Sequence, residues 1–544
     1  MKYLLLLPLF FIGFARSQVT VSYELIQSYT IADIQDIIDG IPLVGLFIEP
    51  TYEVDVYRVL YETEYLDSMV IVSGALALPK GMDCKAPIYS YQHGTTSSKL
   101  DVPSYGSAEL NICLLFASEG NILTAPDHIG LGSSTIDIHP YCHGFSEAHT
   151  TINLLRATRE LMADELAGTV EASNQLFMFG YSQGGFSTAA AAKYIEEYYP
   201  EEFDVTAIAP MSGPYNIPGV QTDFVNSGEP YATPGYLPYI ILGYQSVYGN
   251  LYNETSDVFI EPYDTLMPYL FFGHNYSMGH INGEATPIPT DMFHPEVVQL
   301  IEDGNHPFYD ALVDNDLLDW KPQTRVNMYY CTEDEQVTYE NALVAEESWS
   351  EDNDFEINAI DLGAFDHSGC LLFALLNGRE FFQSLENNGI DFELTYNEEE
   401  NQFELSFPFN NQDDYSIVWS DNSTGATLEG IDPDALYTVT VTDNESGCSH
   451  TKSISVNPLS TKELDSNFEV VLYPNPATSI VNVQLNEVHE INLTIVDMSG
   501  RKVFGRNNVK ASDITINVDS LESGNYLLQI DNGGQRVVQQ FVKQ

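Results

Sequence analysis

Residues 175–192 read QLFMFGYSQGGFSTAAAA, and the fold of the chain turns on this stretch. Apolar Leu176 to Phe179 have the character of a buried strand. Gly180-Tyr181-Ser182-Gln183-Gly184 have that of a sharp turn, and the alanines beyond Phe186 that of a helix, which alanine favours most. A serine on such a turn is held in a strained backbone conformation, and glycine two places before and after it leaves room for the adjoining strand and helix. Its hydroxyl then stands clear of the sheet edge at a helix N-terminus, whose unpaired N–H groups receive developing negative charge. Ser182 is therefore the candidate nucleophile. A glycine-rich helix start that only packs tightly has the same local pattern, and the rest of the chain separates the two readings.

On both sides of the turn, strands alternate with helices. Residues 87–91 lead into Gln92-His93-Gly94-Thr95-Thr96, and 121–125 into Pro126-Asp127-His128-Ile129-Gly130-Leu131-Gly132. A helix is expected over 146–165 and a strand over 205–210. The rhythm resumes with strands at 325–331 and 355–362 and closes with a helix at 371–385. Such alternation predicts a mostly parallel sheet covered on both faces, an α/β class fold. Ahead of it, 54–78 predicts two antiparallel strands, and 18–50 an N-terminal helix packed on the body. Residues 214–320 interrupt the rhythm with Tyr, Phe, Pro and Gly and no clear strand. They read as a cap over the C-terminal edge of the sheet, with aromatics that line a pocket for an apolar group or form the cap's own core.

A serine hydroxyl needs a base, and the base an orienting acid. In sheets of this type both follow the serine, acid first, each at the end of a later strand. Asp334 and His367 meet that order. His367 is the one of 12 histidines on a loop after the last predicted strand. Asp334 is preferred to Glu333, Glu335 and Asp366 because apolar Val337 follows it by three. Two backbone N–H groups are expected to hold the oxyanion, those of Gln183 and Thr95, with Gly94 allowing close approach. His93 reads as structural, and Ser277 in Asn275-Tyr276-Ser277-Met278-Gly279 as a chance match lacking a preceding strand. Scattered histidines, with no HExxH and no paired CxxC, call for no metal and no other cofactor.

The chain has 544 residues, enough for two to four domains, and 79 acidic against 20 basic residues give a formal charge of −59. So acidic a surface repels nucleic acid and anionic membranes, which excludes both as partners. Residues 1–17 read as a signal peptide with an apolar run too short to span a bilayer, and no transmembrane segment is expected after its removal. Six cysteines then occupy an oxidising compartment. A Cys331–Cys370 bridge would hold the acid and base loops in register; Cys84, Cys113 and Cys142 leave an odd thiol, and Cys448 stands alone.

Past residue 388 the pattern becomes short alternating strands with Asn, Asp and Gly turns. It predicts a small β-sandwich over 389–457, a linker at 458–467 and a second β-rich module over 468–544.

The motifs YRVLYET, VSGALALPKG, YQHGTT, TAPDHIGLG, INLLRATRE, GYSQGG, CTEDEQV and DHSGC, in that order, resemble the secretory lipase branch of the α/β-hydrolase superfamily over about residues 50–385. The resemblance implies an α/β-hydrolase domain over 18–388 with a helical cap, and an esterase or lipase acting on small-molecule or lipid esters through Ser182, Asp334 and His367. GYSQG is also similar to the motif of cutinases, a local likeness. Residues 415–456 resemble Ig-like repeats of Bacteroidetes surface proteins. Residues 468–544, with LYPNPATSIVNV and LESGNYLLQI, resemble the C-terminal sorting domain of the type IX secretion system. That implies the secretion machinery as a partner, and a secreted or cell-surface protein. The same triad also serves peptide hydrolysis or acyl transfer, and a surface binding protein on an inactive hydrolase scaffold is the alternative of another class.

Overall fold

The computed structural model describes residues 19–543, apart from 274, 388, 391, 398–400, 408–411, 433–436, 445–446, 455–469, 475–476, 498–500, 522–523 and 532–535. The expected signal peptide (1–17) and linker (458–467) lie outside the described residues. A nine-stranded sheet contains β1 (Thr20–Tyr29), β2 (Val54–Tyr65), β3 (Ser68–Pro79), β4 (Ala86–Gln92), β5 (Ile122–Pro126), β6 (Ala172–Tyr181), β7 (Val205–Met211), β8 (Arg325–Tyr330) and β9 (Ile357–Asp361). Its order is β1-β2-β3-β5-β4-β6-β7-β8-β9. Pairing is antiparallel from β1 through to the β3–β5 pair and parallel from β5 onward.

Helices cover both faces. They are α1 (Ile31–Gly40), α2 (Glu109–Ala117), α3 (Gly144–Ala163), α4 (Gln183–Tyr198), α5 (Thr222–Val225), α6 (Tyr236–Tyr248), α7 (Tyr263–Phe271), α8 (Met278–Glu284), α9 (Pro295–Glu302), α10 (Pro307–Asp314), α11 (Glu340–Ser350) and α12 (His367–Gln383). Successive side chains of a strand point to opposite faces, so β6 serves two cores. Leu176 and Met178 pack with α3, α4, α11 and the inserted helices, whereas Phe177, Phe179 and Tyr181 pack with α1, α2 and α12. Helices α5 to α10 all lie between β7 and β8.

Three local expectations are corrected. Residues 20–29 form edge strand β1 ahead of α1, where only a helix is expected. β2 and β3 belong to the main sheet instead of preceding it. Helix α12 begins at His367, four residues before its predicted start, because the Asp366 carboxylate accepts the Gly369 N–H at 2.7 Å and caps the helix.

Beyond the sheet, residues 393–454 form two three-stranded antiparallel sheets, and 470–543 a separate antiparallel sheet. Cys84, in the loop between β3 and β4, is bonded to Cys448, 364 residues away. This overturns the lone Cys448; the free thiols are Cys113 and Cys142, both buried. Cys331 and Cys370 form the other disulfide. Among the described residues no helix is long and apolar enough to cross a membrane.

Candidate active site

Strand β6 ends at Tyr181 and α4 begins at Gln183, so Ser182 alone makes the turn, at φ 61° and ψ −122°. A non-glycine residue in that region costs about 1–3 kcal/mol and persists only where its surroundings over-determine it. Here they do: the Ser182 N–H donates to the Met211 carbonyl at 2.9 Å. A Cβ on Gly180 would stand 2.3 Å from the Gly184 carbonyl oxygen, and one on Gly184 2.0 Å from that of Gln92. Ser182 itself is 5 % exposed.

The loops that carry Asp334 and His367 meet. Oδ1 of Asp334 accepts the N–H groups of Gln336 and Val337, each at 2.9 Å, which leaves Oδ2 aimed at Nδ1 of His367 at 2.6 Å. Both side chains are nearly buried, at 1 % and 8 % exposure. His367 is held from two further sides. Its backbone N–H donates to Glu335 Oε2 at 3.0 Å, and its carbonyl accepts the Tyr181 hydroxyl at 2.6 Å. The Tyr181 ring lies 4.9 Å from the imidazole, so the residue before Ser182 touches His367 directly. Burial pushes the Tyr181 phenol well up, which keeps it a donor. The rival acids have other work: Glu335 holds the His367 backbone and Asp366 caps α12.

Gln183 is the first residue of α4, where an N–H has no intrahelical acceptor. The loop after β4 passes beside it: a Cβ on Gly94 would lie 3.8 Å from the Tyr181 carbonyl, and the Thr95 hydroxyl is 3.2 Å from that of Tyr141. Gly94 has ordinary clearance for a side chain, so close packing is not why glycine stands there. His93 is fully buried, with Nδ1 2.8 Å from the Gly94 carbonyl.

The sequence reading missed what fixes Gln183. Its Nε2 lies 2.8 Å from Glu147 Oε1 and 2.6 Å from His139 Nε2. Nδ1 of His139 faces the Ile129 carbonyl at 2.8 Å and must donate to it, so Nε2 is the acceptor. The fully buried Glu147 carboxylate also accepts from the Cys142 N–H at 2.9 Å and from the Ser187 hydroxyl. TAPDHIGLG carries another buried acid, Asp127, whose carboxyl is pushed up by burial while Ser73 and Ser104 donate to it. Ser277 caps α8, its hydroxyl accepting the His280 N–H.

An apolar cavity of about 80 Å³ adjoins these loops, lined among others by Tyr141, Tyr236, Ile240, Ile301 and Val337. Among the described residues no group of three or more His, Cys, Asp or Glu could hold a metal ion.

Residues 100–253 match the family described as Secretory lipase, and 471–544 the Secretion system C-terminal sorting domain. No curated protein matches. A Legionella pneumophila protein classed as a hydrolase is 27% identical, with a TM-score of 0.63 over 68% of this chain and 98% of its own. The rice cell wall degrading esterase LipA of Xanthomonas oryzae is 26% identical, with a TM-score of 0.57 over 67% of this chain and 96% of its own. Candida antarctica lipase A in its closed state, 15% identical, shares the fold, with a TM-score of 0.53 over 68% of this chain and 84% of its own. Fold and family match together define the class, an α/β-hydrolase of the lipase and esterase type. The chain is a carboxylic ester hydrolase, and its C-terminal sorting domain marks it for export to a secreted or cell-surface location.

Proposed function

We propose that this hydrolase is a serine esterase working through an acyl-enzyme on Ser182, with His367 as base and Asp334 as its orienting acid. The observation that carries this reading is the 2.6 Å contact of Asp334 Oδ2 with His367 Nδ1, on two loops beside a serine at φ 61°. Asp334 fixes the proton on Nδ1 and leaves Nε2 free to act as base. Ser182 Oγ attacks the ester carbonyl carbon as its proton passes to His367 Nε2. The carbonyl oxygen becomes an alkoxide and is met by the N–H groups of Gln183 and Thr95. Collapse of the intermediate breaks the ester C–O bond, and the departing alcohol takes the proton from His367. A water molecule then attacks the acyl-enzyme with the same base, releasing the acid and restoring Ser182.

In the same reading the chain divides into a hydrolase domain (18–388) with its cap at 214–320, an Ig-like sandwich (389–457) and the type IX sorting module (468–544). The experiment is hydrolysis of p-nitrophenyl butanoate. Ser182→Ala and His367→Ala should each lower kcat by at least about a thousandfold with the fold intact by circular dichroism. Turnover by Ser182→Ala equal to that of the native enzyme removes Ser182 from the mechanism.

A further inference from the structure

The cap is fastened to both loops that flank the candidate site. On the oxyanion side, the fully buried Tyr239 donates its hydroxyl to the Thr96 carbonyl at 2.9 Å, and the Ser97 hydroxyl donates to the Tyr276 carbonyl at 2.7 Å. On the acid side, Gln336 follows Asp334 by two; its carbonyl accepts the Tyr231 hydroxyl at 2.5 Å and its side-chain oxygen the Tyr236 hydroxyl at 3.0 Å. Helix α6 also lies tight on the body, where a Cβ on Gly243 would stand 2.9 Å from the His139 carbonyl oxygen. Swinging the cap aside would break these bonds and expose the Tyr239 and Tyr244 rings, both fully buried. It would also release the loops that carry Thr95 and Asp334.

The cavity beneath this cap is small. An apolar cavity of about 150 Å³ holds a benzene ring, and the one here is about 80 Å³. With the cap fixed, it cannot widen to take a long chain. The chain's charge of −59 further opposes adsorption to an anionic lipid surface.

We infer that the cap is a fixed wall and that the enzyme hydrolyses short-chain, water-soluble esters, seating acyl groups of no more than about four carbons in this cavity without activation at a lipid interface. The inference rests on the serine esterase reading above and adds the substrate class to it.

The test is a p-nitrophenyl ester series from acetate to dodecanoate with the full chain, together with tributyrin at concentrations spanning its solubility limit. Each methylene the cavity accepts should raise kcat/KM about fourfold. The series should peak at butanoate or shorter and fall at least about tenfold by dodecanoate, and the tributyrin rate should saturate with no jump where emulsion appears. Ile301→Ala, which enlarges the cavity, should move the optimum about two carbons longer. An optimum at hexanoate or beyond, a rate jump at the solubility limit, or an Ile301→Ala variant that keeps both its fold and the native optimum overturns the inference. A long-chain optimum that Ser182→Ala abolishes overturns the inference alone. Equal turnover by Ser182→Ala overturns the serine mechanism and this inference with it.

Discussion

The hydroxyl of Tyr181 donates to the carbonyl of His367 at 2.6 Å while its ring lies 4.9 Å from the imidazole, so the residue before the candidate nucleophile positions the candidate base. Tyr181→Phe keeps the ring and removes the bond. With a buried hydrogen bond contributing about 1 kcal/mol, kcat should fall about five- to tenfold with KM unchanged. Steady-state kinetics with nitrophenyl butanoate check this. A rise in KM at constant kcat would place the hydroxyl in substrate binding instead.

Cys331 and Cys370 each stand three residues from one partner of the Asp334–His367 contact, and their bond closes the same pair of loops. Replacing both by serine should lower stability by about 2–4 kcal/mol. It should also cut kcat, because the two loops are no longer tied. Denaturant unfolding and kinetics on the same preparation separate the effects; unchanged kcat in folded protein would mean that the hydrogen bonds alone hold the register.

Gly184 and Gly94 make a contrasting pair. A Cβ on Gly184 would meet the Gln92 carbonyl oxygen at 2.0 Å, whereas one on Gly94 meets nothing nearer than 3.8 Å. Gly184→Ala should cost at least about 3 kcal/mol or fail to fold. Gly94→Ala should stay within about 0.5 kcal/mol of the native protein. Thermal unfolding of both variants compares them.

Glu196 on α4 accepts from Trp320 Nε1 and the Gln323 N–H, and burial raises its pKa to about 7. A carboxyl whose folded pKa exceeds its unfolded value of about 4.3 contributes stability at low pH, and loses that contribution as pH rises to about 7. Glu196→Gln should therefore gain in Tm over the native protein, by a few degrees, between pH 5 and pH 8. A Tm difference that is flat across that range would show that the carboxyl titrates normally.

The central strands and the candidate site were legible because each rests on local signals. An apolar run, a Gly-x-Ser-x-Gly turn and alanines define the elbow, and the candidate acid and base follow in order at later strand ends. Strand β1 was not legible because its partly buried residues recur every third position, Thr20, Tyr23, Ile26 and Tyr29, which resembles a helix face. Irregularities at Thr20/Ser22 and Leu25/Gln27 break the two-residue period of the pleat. The start of α12 was hidden because Asp366 reads equally as a loop residue or a cap. The Glu147–Gln183–His139 contacts and the Cys84–Cys448 bond join residues far apart in the chain, and spacing carries no signal for such pairings.

On the proposed mechanism Ser182 forms the acyl-enzyme. The most direct measurement is peptide mapping by mass spectrometry after reaction with a fluorophosphonate, which stably modifies an activated serine. Native protein should carry the modification on Ser182 and lose esterase activity in step with labelling, while Ser182→Ala should take up none and be inactive. Modification at another serine, or an unlabelled Ser182→Ala variant that still hydrolyses nitrophenyl butanoate at the native rate, would contradict it.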